Sequence, residues 1–206
     1  MIYDITRIVN AQTAVWPGDT PFSLEAKLRI ADGANINLYT LHTTAHIGTH
    51  ADAGYHVQDE GPRAHELPLE PYIGPAQVIS LPGARGGITP DQVTGMVETP
   101  VERLLVHTWV SESPEGEFPA DFPYPTPELI DWLADRGAVL FGIDGPSVDA
   151  FDSKTLPGHR RLLARGMVHL ENLALAGVPD GHYELVALPL KLQDACASPV
   201  RAILRA

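Results

Sequence analysis

Four side chains of the kinds that bind divalent metal ions fall within one short stretch, His46-Ile47-Gly48-Thr49-His50-Ala51-Asp52-Ala53-Gly54-Tyr55-His56. No regular element brings all four together. On a helix His46 and His50 share a face, but at about 100° per residue Asp52 and His56 swing well over half a turn away. On a strand the four even-numbered positions share one face, yet a straight strand sets His46 and His56 roughly 33 Å apart, far too wide for one ion. The chain must therefore bend, and Gly48 and Gly54 supply two places where it can. The expected local structure is a strand from Leu38 to His46 that breaks into a tight, glycine-permitted loop. Imidazole with carboxylate is the ligand set of a borderline-soft divalent ion such as zinc, though manganese, iron or cobalt also accept it. Four such groups this close favour a metal site over a histidine-rich polar loop.

The rest of the chain bounds where such a site can sit. With 206 residues it is long enough for one sizeable domain with a real core, expected to span residues 1–206. No apolar run reaches the ~18 residues of a membrane span, and Met1-Ile2-Tyr3-Asp4-Ile5-Thr6-Arg7 carries an early acid and no long apolar core, unlike a signal peptide. The single cysteine, Cys196, excludes an intramolecular disulfide and suits a reducing, cytoplasmic location. A formal charge of -12 argues against nucleic acid and anionic membrane as partners.

The 18 glycines and 19 prolines are spread out, as expected of many turns and short elements. The first third reads as β-rich, with strands over Ile2 to Val9, Ser23 to Ile30 and Ile36 to His46, and a rigid turn at Trp16-Pro17-Gly18-Asp19-Thr20-Pro21. The remainder alternates. Strands are expected over Ala76 to Leu81, Val101 to His107, Ala138 to Ile143, Met167 to Leu173, Tyr183 to Leu188 and Val200 to Leu204. Thr89-Pro90-Asp91-Gln92 opens one helix with a capping box. Thr126-Pro127 opens another, which places Leu129, Ile130 and Leu133 on one face and ends at Gly137. Leu162 and Leu163 belong to a third. Residues 111–127, rich in proline and acids, read as an exposed excursion. Strands alternating with helices predict a single α/β domain with a mixed sheet packed by helices.

A catalytic zinc usually keeps three protein ligands and an open position, which the opening motif can supply alone. Six further histidines, His42, His65, His107, His159, His169 and His182, lie outside it. Spacing does not decide which of them joins the site.

Gly48-Thr49-His50 followed by Asp52 and His56 resembles the signature of the cyclase-like metal-dependent hydrolases, and within them the bacterial kynurenine formamidases. The resemblance covers nearly the whole chain, in separate blocks in the right order: Val15 to Phe22, Gly142 to Asp149, Ser153 to His159, Leu170 to Leu173, Tyr183 to Leu192 and Ser198 to Ala202. It implies a swivelling β/β/α fold with a central mixed, barrel-like sheet, a homodimer, and two zinc ions per subunit. In that assignment His46, His50 and Asp52 hold the first ion, Asp52 and His159 the second, and Glu171 contacts both. His56 is the catalytic acid/base and Trp16 lines the substrate pocket. The implied substrate is N-formyl-L-kynurenine, hydrolysed to L-kynurenine and formate in tryptophan degradation. Amides resist neutral water, and a bound metal lowers the pKa of water from about 15.7 to about 7 while polarising the carbonyl. Expelling an aniline nitrogen needs a proton, which a histidine titrating near neutrality can donate.

The sequence departs from the family pattern at Gly54, Gly145 and Ala150, changes expected to loosen two loops without touching a ligand. Two other readings stay open. Another member of the superfamily, such as an isatin hydrolase, would carry the same ligands, and only the Trp16–Pro21 block favours the formamidase. A non-catalytic metal-binding protein is disfavoured because closed structural zinc sites tend to use several cysteines.

Overall fold

The computed structural model describes residues 1–114 and 116–206. In chain order the strands are β1 (Ile2–Asp4), β2 (Ser23–Leu28), β3 (Leu38–His42), β4 (His50–Asp52), β5 (Ile73–Ser80), β6 (Gly87–Ile88), β7 (Arg103–His107), β8 (Tyr124–Pro125), β9 (Leu140–Ile143), β10 (Val168–Glu171), β11 (Gly181–Val186), β12 (Ala197–Pro199) and β13 (Ile203–Arg205). The helices are α1 (Pro90–Val93), α2 (Pro127–Ala134) and α3 (Pro157–Ala164). The main sheet runs β1-β13-β11-β5-β7-β9-β10-β4-β12. Its centre, β5-β7-β9-β10, is parallel, and its flanks are antiparallel. It is a single α/β domain with a mixed sheet, as the alternating pattern predicts, and the sheet curls into a half-barrel, as the resemblance implies.

At the centre of the sheet β9 is apolar and buried at every position, and so is the Leu104–Val106 stretch of β7, because both faces are covered there. Successive residues point to opposite sides. Leu104, Val106, Phe141 and Ile143 therefore pack under α2 and α3, while Leu105 and Leu140 join Ile5, Tyr72, Leu170 and Leu204 on the other face. Helix α2 forms where its cap and apolar stripe place it. Thr126 accepts a hydrogen bond from the Leu129 N–H at 3.3 Å, and Leu129, Ile130 and Leu133 are fully buried. Each such side chain contributes about 1.5–3 kcal/mol by leaving water. At α1 the expected capping box is present, with Gln92 Oε1 accepting from the Thr89 N–H at 2.8 Å.

Several local expectations change. The strand expected over Ile2 to Val9 ends at Asp4, and the one expected over Val200 to Leu204 begins at Ile203. The strand beginning at Leu38 stops at His42, and the segment expected to be a loop contains a strand of its own, β4, buried at all three residues. Between them Gly48 takes φ +55°, a left-handed turn that re-aims the chain into the sheet. The excursion expected at 111–127, of which residue 115 lies outside the described residues, is not wholly exposed: Phe122 is buried, and Phe118 and Phe122 pack against Trp16. Trp16 starts the expected turn, its carbonyl accepting from the Asp19 N–H at 2.9 Å.

The β2–β3 hairpin stands apart from both cores. Every residue of β2 is exposed, and Leu24 and Leu41 are 55% and 58% accessible. Among the described residues no helix is long and apolar enough to cross a membrane.

Candidate metal centre

The site is laid out by strand pairing. Strands β4 and β10 run antiparallel with Glu171 opposite His50 and Leu170 opposite Ala51, which sets His169 opposite Asp52. Ala51 and Leu170 point into the core, fully buried. The period of two then turns His50, Asp52, His169 and Glu171 to the other side. His46 joins from the turn before Gly48, His56 from the short helical turn Gly54–His56, and His159 from the first turn of α3. The His46 and His56 ring centroids are 4.4 Å apart, so the bend between them is complete.

Both carboxylates face two ways. Asp52 Oδ1 lies 2.9 Å from His46 Nδ1 and 3.4 Å from His50 Nε2, while its Oδ2 lies 3.4 Å from His159 Nε2 and 3.5 Å from His169 Nε2. Glu171 Oε2 lies 3.2 Å from His50 Nε2, while its Oε1 lies 3.5 Å and 3.6 Å from the nitrogens of His159 and His169. Around the carboxylates the donors thus form two groups, His46–His50–Asp52 and Asp52–His159–His169–Glu171, and a third, His46–His56–Cys196, lies beside them without a carboxylate. His56 is the most accessible of these rings, one third exposed, with Nε2 3.8 Å from Asp52 Oδ2.

Neighbouring groups fix which ring nitrogen points inward. His50 Nδ1 meets the Gly48 carbonyl at 2.8 Å, and His159 Nδ1 meets Asp149 Oδ2 at 2.7 Å, leaving Nε2 of each ring directed at the carboxylates. Such outer hydrogen bonds hold histidine ligands in metal sites. The Val148 N–H donates to Glu171 Oε1 at 3.0 Å.

The residues fit a divalent cation. His50 Nε2, both Asp52 oxygens and His169 Nε2 are buried with no aligned hydrogen-bond partner among the described residues. Buried polar atoms left this way cost about 1–3 kcal/mol each, and convergence on a shared cation removes the cost. The electrostatics agree. Burial alone would push His46 down, but the Asp52 carboxylate outweighs it and raises the ring to about 11. Burial opposes charge on His50 too, yet Asp52 and Glu171 raise it to about 9. His159 is raised to about 10, with burial overcome by Asp149, Asp52 and Glu171. Burial favours the neutral form of Asp52, but the surrounding imidazoles hold it well below the ordinary carboxylate range. Burial and Asp52 both push Glu171 up, and His50 and His159 outweigh them and keep it low. The two acids thus demand positive charge.

Beside these donors opens a cavity of about 280 Å³, lined by Trp16, His46, His50, Asp52, His56, Phe118, Ser147, His159 and Glu171 among others. Trp16 belongs to an aromatic cluster at this cavity, with ring centroids 5.3 Å from Phe118 and 5.2 Å from Phe151. A buried ionic floor under an aromatic wall can hold a small aryl substrate against a metal.

The family model described as "Putative cyclase" matches residues 3–150. This chain belongs to the cyclase family. Among its relatives is the kynurenine formamidase of Salinibacter ruber, 42% identical over 206 residues, with 99% of this chain and 97% of that one covered. Isatin hydrolase A of Labrenzia aggregata superposes with a TM-score of 0.86 at 25% identity, covering 99% and 93% of the two chains. A solved structure described as a potential metal-dependent hydrolase with cyclase activity gives 0.83 at 26% identity, covering 99% and 96%.

In this cyclase-family chain the structure brings His46, His50, Asp52, His56, His159 and Glu171 together, with Trp16 at the same cavity. It also adds three residues that sequence reasoning left aside. His169 stands among the donors, Asp149 holds His159, and Cys196 Sγ lies 3.4 Å from His46 Nε2. Hydrogen bonds from His46 and His56 lower the Cys196 thiol to about 6. One signal for His169 is in the sequence: His169-Leu170-Glu171 repeats the spacing of His50-Ala51-Asp52, two ligand types flanking one apolar residue. Gly54 does not loosen its loop as expected. A Cβ there would meet Pro62 Cδ at 2.7 Å and Leu163 Cδ1 at 2.8 Å, so glycine lets the loop carrying His56 pack tightly.

Proposed function

We propose that this chain is a metal-dependent arylformamidase that hydrolyses N-formyl-L-kynurenine to L-kynurenine and formate, a step in tryptophan degradation by the kynurenine pathway. The observation that carries the reading is the near full-length similarity to a kynurenine formamidase, joined to an aromatic-walled cavity over a histidine–carboxylate floor. Two zinc ions per subunit fit the two donor groups, the first with His46, His50 and Asp52, the second with Asp52, His159 and Glu171. Such ions supply an acidified water as nucleophile and Lewis-acid polarisation of the formyl carbonyl.

The chain's own residues supply the rest. Asp149 orients His159, and Gly48 orients His50, so each ring presents Nε2. Trp16, braced by Phe118 and Phe151, stacks on the aryl ring and excludes water from that side. His56, the accessible ring, donates a proton from Nε2 to the aniline nitrogen as the C–N bond breaks. We read the functional unit as one domain over 1–206, in a homodimer within the reducing cytoplasm. The exposed Leu24, Leu28, Leu38 and Leu41 of the β2–β3 hairpin support the dimer, because such apolar side chains gain from a partner.

A second reading, hydrolysis of the cyclic amide isatin, is favoured by the superposition on an isatin hydrolase. One experiment separates them. Chelated enzyme is reloaded with zinc and offered each compound. Formate release from N-formyl-L-kynurenine, lost on chelation and restored by zinc, is the expected result. Ring opening of isatin without formate release would overturn the assignment and leave the metallohydrolase standing.

A further inference from the structure

The reaction above does not explain His169. The residue is 6% exposed, and its Nε2 is buried with no hydrogen-bond partner among the described residues. That nitrogen faces Asp52 Oδ2 at 3.5 Å and Glu171 Oε1 at 3.6 Å. His159 Nε2 faces the same two oxygens at 3.4 Å and 3.5 Å. Four donor atoms therefore share four near-equal edges. Bonds of about 2.0–2.1 Å in a tetrahedral array set donors about 3.4 Å apart. The spacing around His169 is that of a coordination polyhedron, while a ring placed for packing would turn its nitrogen toward a hydrogen-bond partner.

We infer that His169 is the fourth protein ligand of the second ion and closes that site on the side away from the cavity, whereas the first ion, whose donor group is His46, His50 and Asp52 with Glu171 Oε2 3.2 Å from His50 Nε2, faces the cavity. The inference rests on the metal-hydrolase reading above and deepens it by dividing the labour between the ions. A site enclosed by protein ligands holds its metal firmly, and one that faces a substrate cavity leaves room for water or substrate. The surroundings set His169 apart. The 280 Å³ cavity is lined by His46, His50 and His56 and also by Asp52, His159 and Glu171, but not by His169. His169 lies on the far side, against a separate hollow of about 150 Å³ lined by Val57, Leu67 and Met167. Its place in β10 fixes it there. It shares a face with Glu171 two residues on and stands beside Asp52 on β4, so the strand pleat holds it without any loop rearrangement.

The division predicts unequal retention. The closed ion should exchange slowly and survive mild chelation, while the open one leaves first. The test compares wild-type holoenzyme with His169→Leu, which fills the buried space with an apolar group, and His169→Gln. Metal content is counted after timed chelation, and zinc affinity is measured by competition with a chelating dye. Losing an outer hydrogen bond to a ligand typically costs 10–100-fold in metal affinity, so losing the ligand should weaken the more tightly held equivalent by at least ~100-fold. The other equivalent should stay unchanged. Unchanged retention of both equivalents in both variants would overturn the inference. If the variants fold poorly, the wild-type protein still decides. Cadmium-113 substitution of ¹⁵N-histidine-labelled enzyme should give metal–nitrogen coupling to four rings, those of His46, His50, His159 and His169, and coupling to the first three alone would exclude His169. None of these readouts uses substrate. An enzyme that binds metal as described yet releases no formate would refute the proposed reaction and leave this ligand in place.

Discussion

The pairs β2–β3 and β4–β10 are both antiparallel and both carry histidine beside carboxylate, yet they do opposite things. In the hairpin His42 lies 3.6 Å from Glu25, with both side chains more than half exposed, and water screens the pair. Beneath the cavity, His50 lies 3.4 Å from Asp52 and 3.2 Å from Glu171, with all three side chains at most 4% exposed. Residue types and separations are alike, and burial is the difference. A solvated pair meets its needs with water, whereas a buried one demands a counter-charge at close range, from a bound cation or from protons held on the neighbouring imidazoles. Ligand chemistry comes from where the sheet places these groups.

The sharpest way to break this contrast is Asp52→Ala. It removes the oxygens shared by both donor groups, so metal content should fall to near zero and hydrolysis to background, whereas Glu25→Ala should leave both intact. Elemental analysis beside the formate assay reads each. His56→Ala comes next. It should lower kcat by roughly 10²–10⁴-fold with metal content unchanged, and a parallel loss of metal would reassign His56 as a ligand.

A smaller effect concerns pH after chelation, when protons alone balance the buried acids. His46, His50 and His159 are raised from 6.5 to about 11, 9 and 10. Raised folded values mean their contribution to stability is fully present below about 6.5 and is lost as pH rises through about 9 to 11. The chelated protein should melt at a lower temperature at pH 10 than at pH 7, each kcal/mol lost being worth roughly 2–4 °C of Tm in a chain of this size. Zinc loading should flatten that alkaline decline. Zinc affinity should in turn weaken as pH falls, because protons compete for the same rings. A melting temperature independent of pH after chelation would remove the coupling. The smallest effect belongs to the hairpin. Leu24→Ser with Leu41→Ser should change protomer stability by no more than about 0.5 kcal/mol, yet shift a dimer toward monomer in light scattering.

Much of this was legible in the chain. The fully apolar run at 138–143, the capped helix after Thr126 and the capping box at Thr89 each follow from local chemistry, and each stands where expected. The motif from His46 to His56 announces metal. Its internal geometry is not readable locally, because β4 is only three residues long and exists through pairing with β10 and β12, more than a hundred residues away. The same long-range pairing hides His169. A lone histidine in an apolar strand is ordinarily a core or surface residue, and only the register that sets it beside Asp52 makes it a candidate donor. Propensity reports what a segment prefers, while the order of strands in a sheet is decided by contacts that no short window contains.

The chemistry and the selectivity of this protein sit on different kinds of scaffold. His50, Asp52, His169 and Glu171 are spaced by the pleat of two paired strands, whereas Trp16, Phe118 and Phe151 stand outside the strands and helices. A lineage can therefore rewrite the aromatic wall of the cavity, by insertion, deletion or exchange of an aromatic, without moving the histidine–carboxylate floor. Descendants of one such sheet can come to act on open-chain and ring-closed amides alike, inheriting the hydrolytic floor and renewing only the wall above it.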